Sequence, residues 1–336
     1  MRRSGALVLF AMAVLACDSQ STEPVTLIAH DSFADAVDET TFAAFTEETG
    51  IGVEVLAAGD TGAMVNQAIL TKDNPLADVL FGIDDTFLQR GINEGIFEPF
   101  APAAAADIRP ELLPATDLVT PIDYGDVCLN YDKETMTTPP SSLDELPDFA
   151  DQLVVEDPSL SSPGLAFLLV TIERYGEGGW QDYWSQLRDN GVLVAPGWTE
   201  AYYGEFSGGS GEGTRPLVVS YASSPPVEVL FADSPVTEAP TGVITDGCYR
   251  QTEFAGVLAG TDRAEEAGRL IDFMLSPDFQ ATIPLTWFVY PANGSVGLPE
   301  LFVEHSEIPT DPITLDPAVI EQNRERWLTE WADLFA

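Results

Sequence analysis

Apolar and polar positions follow two different periods along the chain. Short apolar runs, typical of buried strands, lie at residues 25–29, 52–56, 77–82, 125–131, 215–221 and 248–254. Stretches with helical spacing lie at residues 40–48, 61–71, 85–91, 162–175, 179–190, 198–206, 262–275 and 317–334. Strands separated by helices of this length are typical of β-α-β units and parallel sheets. The pattern therefore predicts an α/β protein made of two such units.

The helical stretches carry end signals and an aromatic face. Asp262 and Asp316 are predicted to cap the last two long helices, because a side-chain oxygen at the N-cap accepts from a free backbone N–H. Trp180, Tyr183 and Trp184 recur at helical spacing, which predicts an amphipathic helix with its aromatic rings in the core.

Two extended stretches, near residues 122–130 and 246–254, connect the α/β units. They predict a bilobal molecule with a hinge. The expected division is residues 25–123 plus 249–300 for the first lobe, 124–248 for the second, and 301–336 for a C-terminal helical segment. Ligands of such folds bind between the lobes, at the carboxyl ends of strands.

Residues 1–16 have the pattern of a signal peptide. Arg2 and Arg3 precede about a dozen apolar residues, whereas a bilayer span needs about 20. The sequence Val-Leu-Ala-Cys at residues 14–17 resembles the lipobox of bacterial lipoproteins; an ordinary secretory signal with a chance cysteine is the alternative. We predict a lipid on Cys17, a polar tether at residues 17–24, and a location on the outer, periplasmic side of the cell membrane.

The net charge of the chain limits the kinds of binding partner that are expected. The chain has 55 acidic and 14 basic residues, for a formal net charge of −41. Nucleic acid is thereby excluded as an expected partner, because its binding depends on basic side chains. A cationic small molecule would be favoured, although an acidic surface that maintains solubility is the simpler interpretation. We expect a monomer.

Two cysteines remain once Cys17 is assigned to the lipid. Cys128 and Cys248 each lie in a strand-like run. Disulfides persist outside the cytoplasm, so a bond between them is expected, with two buried thiols as the alternative.

Several short motifs occur in a characteristic order. They are His-Asp-Ser-Phe at 30–33, Ala-Asp-Val-Leu-Phe-Gly-Ile-Asp at 77–84, Asp-Tyr-Gly at 123–125, Ser-Pro-Gly-Leu at 162–165, Gly-Trp-Thr-Glu-Ala-Tyr at 197–202, Val-Ser-Tyr at 219–221 and Tyr-Pro at 290–291. Together they resemble the thiamine-binding solute receptors of ABC importers, over about residues 25 to 333. The resemblance implies a periplasmic-binding-protein-like fold without a cofactor or catalytic activity. It further implies that thiamine, or a phosphate ester of it, is passed to a membrane permease driven by a cytoplasmic ATPase.

The resemblance also implies a set of site residues. Aromatic side chains would sandwich the thiazolium cation, which favours aromatic faces and nearby carboxylates. A helix start would receive the hydroxyethyl or phosphate end. The aromatic positions are Trp198, Tyr221, Tyr202, and Trp287 or Phe288; the polar ones are Asp60, Asp84, His30, Ser161, Ser162 and Gly164.

Each of these residues also has a purely structural interpretation. Trp198 could serve packing alone, Tyr221 could cap a turn, and Asp60 could cap the helix at 61–71. The Ser-Ser-Pro-Gly start at 161–164 is a sufficient helix cap without a ligand.

Three other functions compete with thiamine capture. Tyr202 and Tyr203 are adjacent, as in ferric-ion receptors, but neighbouring helical residues point about 100° apart. A secreted hydrolase is disfavoured, because the two histidines, His30 and His305, make no metal cluster and there is no Gly-x-Ser-x-Gly motif. A purely structural surface lipoprotein is the third alternative.

Overall fold

The computed structural model describes residues 23–232 and 234–336. The predicted signal peptide, Cys17 and most of the tether lie outside these residues, so the leader and its lipid stay predictions. No helix in the described part is long and apolar enough to cross a membrane.

Within the described residues, ten strands form one sheet. They are β1 (Val25–Ala29), β2 (Val53–Ala57), β3 (Val79–Asp84), β4 (Phe97–Glu98), β5 (Thr120–Asp132), β6 (Leu153–Glu156), β7 (Leu193–Ala195), β8 (Leu217–Tyr221), β9 (Thr241–Leu258) and β10 (Tyr290–Pro291). The order is β2-β1-β3-β9-β5-β8-β6-β7, with β10 beside β5 and β4 beside β9.

The sheet contains two parallel groups of three strands. In one, β1 pairs with β2 and β3; in the other, β6 pairs with β7 and β8. The long antiparallel pair β5–β9 lies between them, with β9 beside β3 and β5 beside β8. The α/β class with parallel-rich halves is thus confirmed. The hydrogen-bonded path is continuous through both halves, while the predicted lobe boundaries stay predictions.

Helices cover the sheet. They are α1 (Asp31–Ala36), α2 (Ala43–Thr49), α3 (Thr61–Leu70), α4 (Leu88–Glu94), α5 (Ser162–Tyr175), α6 (Gly179–Asp189), α7 (Ser224–Leu230), α8 (Ala264–Met274), α9 (Pro277–Gln280), α10 (Ile283–Thr286), α11 (Glu300–His305) and α12 (Pro317–Phe335). A π-helical turn spans Glu200–Glu205, where the sequence predicts an α-helix. Short 3-10 turns lie at Ala105–Asp107, Pro110–Leu112 and Leu143–Asp148.

The predicted aromatic helix is confirmed as part of the core. Trp180 and Trp184 on α6 are fully buried. The Trp184 ring meets Trp331 of α12 edge-on at 5.6 Å, and its Nε1 donates to Thr171 Oγ1 at 2.9 Å. The C-terminal helix therefore packs against α6, and a buried indole N–H finds its partner.

One of the two predicted caps is correct. Asp316 accepts from the Ala318 N–H at 2.9 Å and starts α12. Asp262 does not cap α8: the N-cap is Arg263, without a side-chain cap bond. The helix begins at Ala264, two residues beyond the position that the sequence pattern predicts.

Cys128 of β5 and Cys248 of β9 form a disulfide, which confirms the predicted pairing. The sulfurs are 2.00 Å apart and the Cα atoms 4.4 Å apart. Both residues are buried beside Ala222 and Val243. The bond therefore joins the two strands that run between the parallel groups.

Candidate functional site

A cavity of ≈ 390 Å³ lies between the two parallel strand groups, within the size range of small-molecule sites. Elements of both groups and of β9 contribute to its wall. The lining residues are His30, Ser32, Phe33, Asp35, Ala36, Thr61, Pro163, Trp198, Thr199, Tyr202, Tyr203, Tyr221, Ser224, Val227, Phe231, Gln251, Glu253, Thr286, Trp287, Phe288 and Val289.

One wall is a cluster of aromatic rings around Trp198. Its ring stacks on Tyr202 at 5.1 Å with an interplanar angle of 18°, and meets Tyr221 at 6.4 Å and 60°. Trp198 Nε1 donates to Ser220 Oγ at 3.0 Å, which fixes the indole plane. The Tyr221 ring lies against Gly125, where a Cβ would come within 2.7 Å of it. A residue larger than glycine at position 125 of β5 would clash with this ring.

The opposite wall contains the two candidate rings Trp287 and Phe288. Trp287 Nε1 donates to Asp123 Oδ2 at 3.0 Å, and the indole meets Phe33 edge-on at 5.1 Å. Phe288 has a left-handed backbone conformation, with φ 66°. Its ring meets Phe231 edge-on at 5.8 Å, and Phe231 is 64% exposed. Trp287 thus belongs to the buried wall and Phe288 to the rim.

His30 and Glu253 form a buried pair in the cavity wall. His30 Nδ1 accepts from the Phe33 N–H at 3.2 Å and so caps α1, while Nε2 lies 3.2 Å from Glu253 Oε1. Burial lowers the pKa of His30, but the carboxylates around it, Glu253 first and then Asp60 and Asp84, together outweigh burial, and the pKa is raised. The imidazole lies directly over Gly82, where a Cβ would be 2.3 Å from Cδ2. Glycine is therefore required at that point of β3.

Glu253 is also the middle member of a row of three carboxylates on adjacent strands. Glu253 of β9 is directly opposite Asp84 of β3 and Asp123 of β5. Directly opposite residues share a face of the sheet, and like charges in such positions repel. Burial raises the pKa of Asp84 to about 6, and burial together with Glu253 raises that of Asp123 well above its usual range. Protonation or a nearby cation would relieve the repulsion.

Several buried polar atoms of this row and of the segment from Glu156 to Ser162 have no hydrogen-bond partner within the described residues. They are Asp84 Oδ2, Asp123 Oδ1, both carboxyl oxygens of Glu156, and the hydroxyls of Ser161 and Ser162. Buried polar atoms in proteins are nearly always paired, so such a cluster indicates a place where a ligand or water completes the pairing.

Six of the residues expected at the site line the cavity together: His30, Trp198, Tyr202, Tyr221, Trp287 and Phe288. The other five do not line it; they are Asp60, Asp84, Ser161, Ser162 and Gly164. Asp60 is the N-cap of α3, where it accepts from the Thr61 N–H at 2.8 Å, and it also accepts from the Trp198 N–H at 3.3 Å. Asp60 therefore caps α3, and its bond to the Trp198 N–H links α3 to the aromatic wall.

Gln251 and Glu253 also line the cavity and were not expected there from the sequence. They alternate with Thr252 along β9, so both point to one face of the strand. The Tyr221 hydroxyl donates to Gln251 Oε1 at 3.3 Å. The run of four polar residues at 250–253, Arg-Gln-Thr-Glu, within a mostly buried strand could have signalled this site.

The adjacent tyrosines are poorly placed for ferric ion. Tyr202 is 1% exposed and its hydroxyl donates to Glu228 Oε1 at 2.7 Å. Burial and the Glu228 charge raise the pKa of Tyr202 well above its usual range, which opposes the phenolate that iron(III) prefers. The Tyr202 and Tyr203 rings are 83° apart. Across the described residues, no group of three or more His, Cys, Asp or Glu side chains could hold a metal ion.

Replacing Asp84 by asparagine is expected to raise the melting temperature at about pH 8 by a few degrees, and less at about pH 4.5. The pKa of Asp84 rises from 3.8 to about 6 on folding. Its contribution to stability is thus complete below the lower value and is lost as pH rises through the higher one. Asparagine keeps an oxygen for the Thr86 N–H, now 2.8 Å from Oδ1, and carries no charge. Thermal unfolding at several pH values measures the difference.

The matched control for this prediction is Asp73→Asn, which removes the same charge from an exposed position. It should change the melting temperature little at any pH. If the stabilisation by Asp84→Asn did not grow with pH, the buried Asp84 charge would not be the cause.

Comparisons with known proteins agree with this architecture. Residues 74–307 match the family described as bacterial extracellular solute-binding protein. A thiamine-binding periplasmic protein of Brucella suis biovar 1 (strain 1330) is 30% identical over 96% of this chain and 95% of its own length. The thiamine-binding periplasmic protein of Escherichia coli (strain K12) is 32% identical over 86% of this chain and 85% of its own. A solved structure of a periplasmic thiamin binding protein superposes with a TM-score of 0.83 at 29% identity, covering 94% of this chain and 98% of that one.

Proposed function

The chain belongs to the bacterial extracellular solute-binding proteins, and we propose that it captures thiamine in the aromatic cavity and delivers it to an ABC importer. The observation that carries the proposal is the composition of the cavity. Stacked aromatic rings form one wall, and Glu253, the partner of His30, stands in a row of three carboxylates. Such surroundings suit a flat, permanently cationic ligand.

The proposed ligand matches these features group by group. Its thiazolium ring would lie against Trp198 and Tyr221, with Trp287 or Phe288 on the other side. Its neutral aminopyrimidine would reach the polar wall of Gln251 and Glu253. Relatives that cover most of this chain are named for binding thiamine, which supports the same choice.

The residues behind the wall have supporting roles in this proposal. Asp60 holds the backbone of Trp198, and Asp84 adds negative charge beneath the cavity. Ser161, Ser162 and Gly164 surround Pro163, which does line the cavity, so they could approach the hydroxyethyl end of the ligand.

The proposal extends to delivery. The lobes, divided as expected from the sequence, would close on the ligand by hinge motion about β5 and β9. A lipid on Cys17 would hold the monomer at the outer face of the membrane, within reach of its permease. The ATPase belongs to that importer, and the receptor itself has a binding role without catalysis or a cofactor.

Titration calorimetry with thiamine, followed in parallel by tryptophan fluorescence, tests the proposal. We expect one site per chain with a dissociation constant of about 1 μM or lower. The free aminopyrimidine alcohol is the matched control ligand and should bind far more weakly, because it lacks the cation. Absence of binding to thiamine and to its phosphates would refute the assignment. A visible phenolate band on adding ferric ion would favour an iron receptor instead.

A further inference from the structure

We infer that Glu228 is a positioning residue for the aromatic wall: its carboxylate holds Tyr202 in the stack with Trp198, and so raises ligand affinity without touching the ligand. The inference rests on the proposed function, since it concerns how the same cavity is kept ready for its ligand. Glu228 does not line the cavity and lies outside the set of residues that the sequence analysis identified.

The position of Glu228 on α7 places it directly behind the cavity wall. Ser224, one turn before it, and Phe231, at the end of the helix, both line the cavity. Residues three or four positions apart share a face of a helix, so Glu228 lies on the same side as these two. The Glu228 side chain is nevertheless 4% exposed. It is therefore enclosed by protein next to the lining residues.

Three hydrogen bonds hold the carboxylate of Glu228. Its Oε1 accepts from the Tyr202 hydroxyl at 2.7 Å and from Ser210 Oγ at 2.9 Å, and its Oε2 accepts from the Ser210 N–H at 2.7 Å. Within residues 23–232 and 234–336, no basic side chain forms an ion pair with it. A buried charge is costly without compensation, and hydrogen bonds to an ionised acceptor are strong. The Tyr202 hydroxyl is thus firmly anchored.

A glycine-rich loop at residues 207–213, Ser-Gly-Gly-Ser-Gly-Glu-Gly, packs against the same carboxylate. Gly209 has a left-handed backbone conformation with φ 58°, and a Cβ at this position would clash with Glu228 Oε2. Glycine at position 209 therefore lets the loop approach closely enough for the Ser210 N–H to reach the carboxylate. The loop fixes Glu228, and Glu228 in turn holds Tyr202.

Both rings of the stack are connected to α7 through polar bonds. Tyr202 is bonded to Glu228, while Trp198 Nε1 donates to Ser220 Oγ, which lies 3.0 Å from Ser224 Oγ. The two rings stack at 5.1 Å between these anchors. A side chain that is already held in its binding orientation loses less entropy when the ligand arrives. We therefore expect the bond between Glu228 and Tyr202 to contribute to ligand affinity.

The test compares thiamine affinity by calorimetry in the wild-type protein, Glu228→Gln, Tyr202→Phe and the double variant. Glu228→Gln removes the charge, and Tyr202→Phe removes the hydroxyl but keeps the ring. Each is expected to weaken binding about tenfold, since each breaks a hydrogen bond to a charged group. Because both act through one bond, the double variant should bind about as weakly as either single variant. Independent roles would instead give a loss of about a hundredfold.

Two further variants complete the test. Glu212→Gln removes a charge from an exposed position of the same loop and should leave the affinity unchanged. Ser210→Ala removes only the Oγ bond to Glu228 and should weaken binding about threefold, which gives a second measure if Glu228→Gln folds poorly. Unchanged affinity in the folded variants, or additive losses in the double variant, would overturn the inference and leave the proposed function intact. Failure of the wild-type protein to bind thiamine would overturn both.

Discussion

Replacing Cys128 and Cys248 together by serine is expected to lower the free energy of unfolding by about 4–5 kcal/mol. The two residues are 120 positions apart in sequence. In the chain-entropy treatment, a bond that closes so long a loop removes much of the freedom of the unfolded chain, and that freedom returns when the bond is absent. Urea denaturation of the variant and the wild-type protein, followed by far-UV circular dichroism, measures the difference.

Reduction provides the matched control for this variant. Wild-type protein unfolded in the presence of a thiol reductant should lose a similar amount of stability, whereas the serine variant should not respond to the reductant. Neither cysteine lines the cavity, so ligand affinity of the folded variant should stay close to that of the wild-type protein. Equal stability of the oxidised wild type and the variant would show that the bond contributes nothing.

The local periods of the sequence account for most of the fold. The apolar runs predicted at 25–29 and 215–221 and the helical stretch predicted at 179–190 coincide with β1, β8 and α6 to within two residues. Short helices such as α1 were not predicted, because so few residues show too little periodicity to be recognised. In α1 the N-cap is the imidazole of His30, and this residue type is outside the usual capping set.

The aromatic part of the site could be predicted, whereas the carboxylate row could not. Trp198 and Tyr221 lie in motifs whose order is recognisable in the sequence, whereas the sequence offers Trp287 and Phe288 only as alternatives. Asp84 and Glu253, however, become neighbours only through the pairing of β3 with β9, which includes a register shift between Phe81 and Ile83. Such register depends on tertiary packing of distant segments, and no local pattern encodes it.

The π-helical turn Glu200–Glu205 shows a similar limit. Helical spacing at 198–206 predicts an α-helix, whereas the structure has a wider π-helical turn that hydrogen bonds to other elements accompany. Trp198 is held by Asp60 and Ser220, and Tyr202 by Glu228. These bonds connect the turn to three other elements and place both rings in contact. π-turns are frequent at functional sites, in agreement with the position of this one in the cavity wall.

Replacing Trp198 by alanine is expected to weaken thiamine binding by about 2 kcal/mol, or about 30-fold, if its ring stacks on the desolvated cation. The indole is oriented by Ser220 and stacked on Tyr202, so the free protein already presents its face to the cavity. Calorimetric titration of the variant measures the loss. Trp198→Phe should recover part of it, because a smaller ring keeps a weaker aromatic face but loses the Nε1–H bond.

A neutral ligand separates the cation effect of Trp198 from simple packing. In a thiamine isostere whose thiazolium nitrogen is replaced by carbon, the shape persists and the charge is lost. Trp198→Ala should then cost about 1 kcal/mol less for the isostere than for thiamine, since only the cation gains from the ring quadrupole. The difference between the two losses is a coupling energy between ring and charge. Equal losses would mean that Trp198 fills space beside the ligand, and the carboxylate row would then have to account for cation recognition on its own.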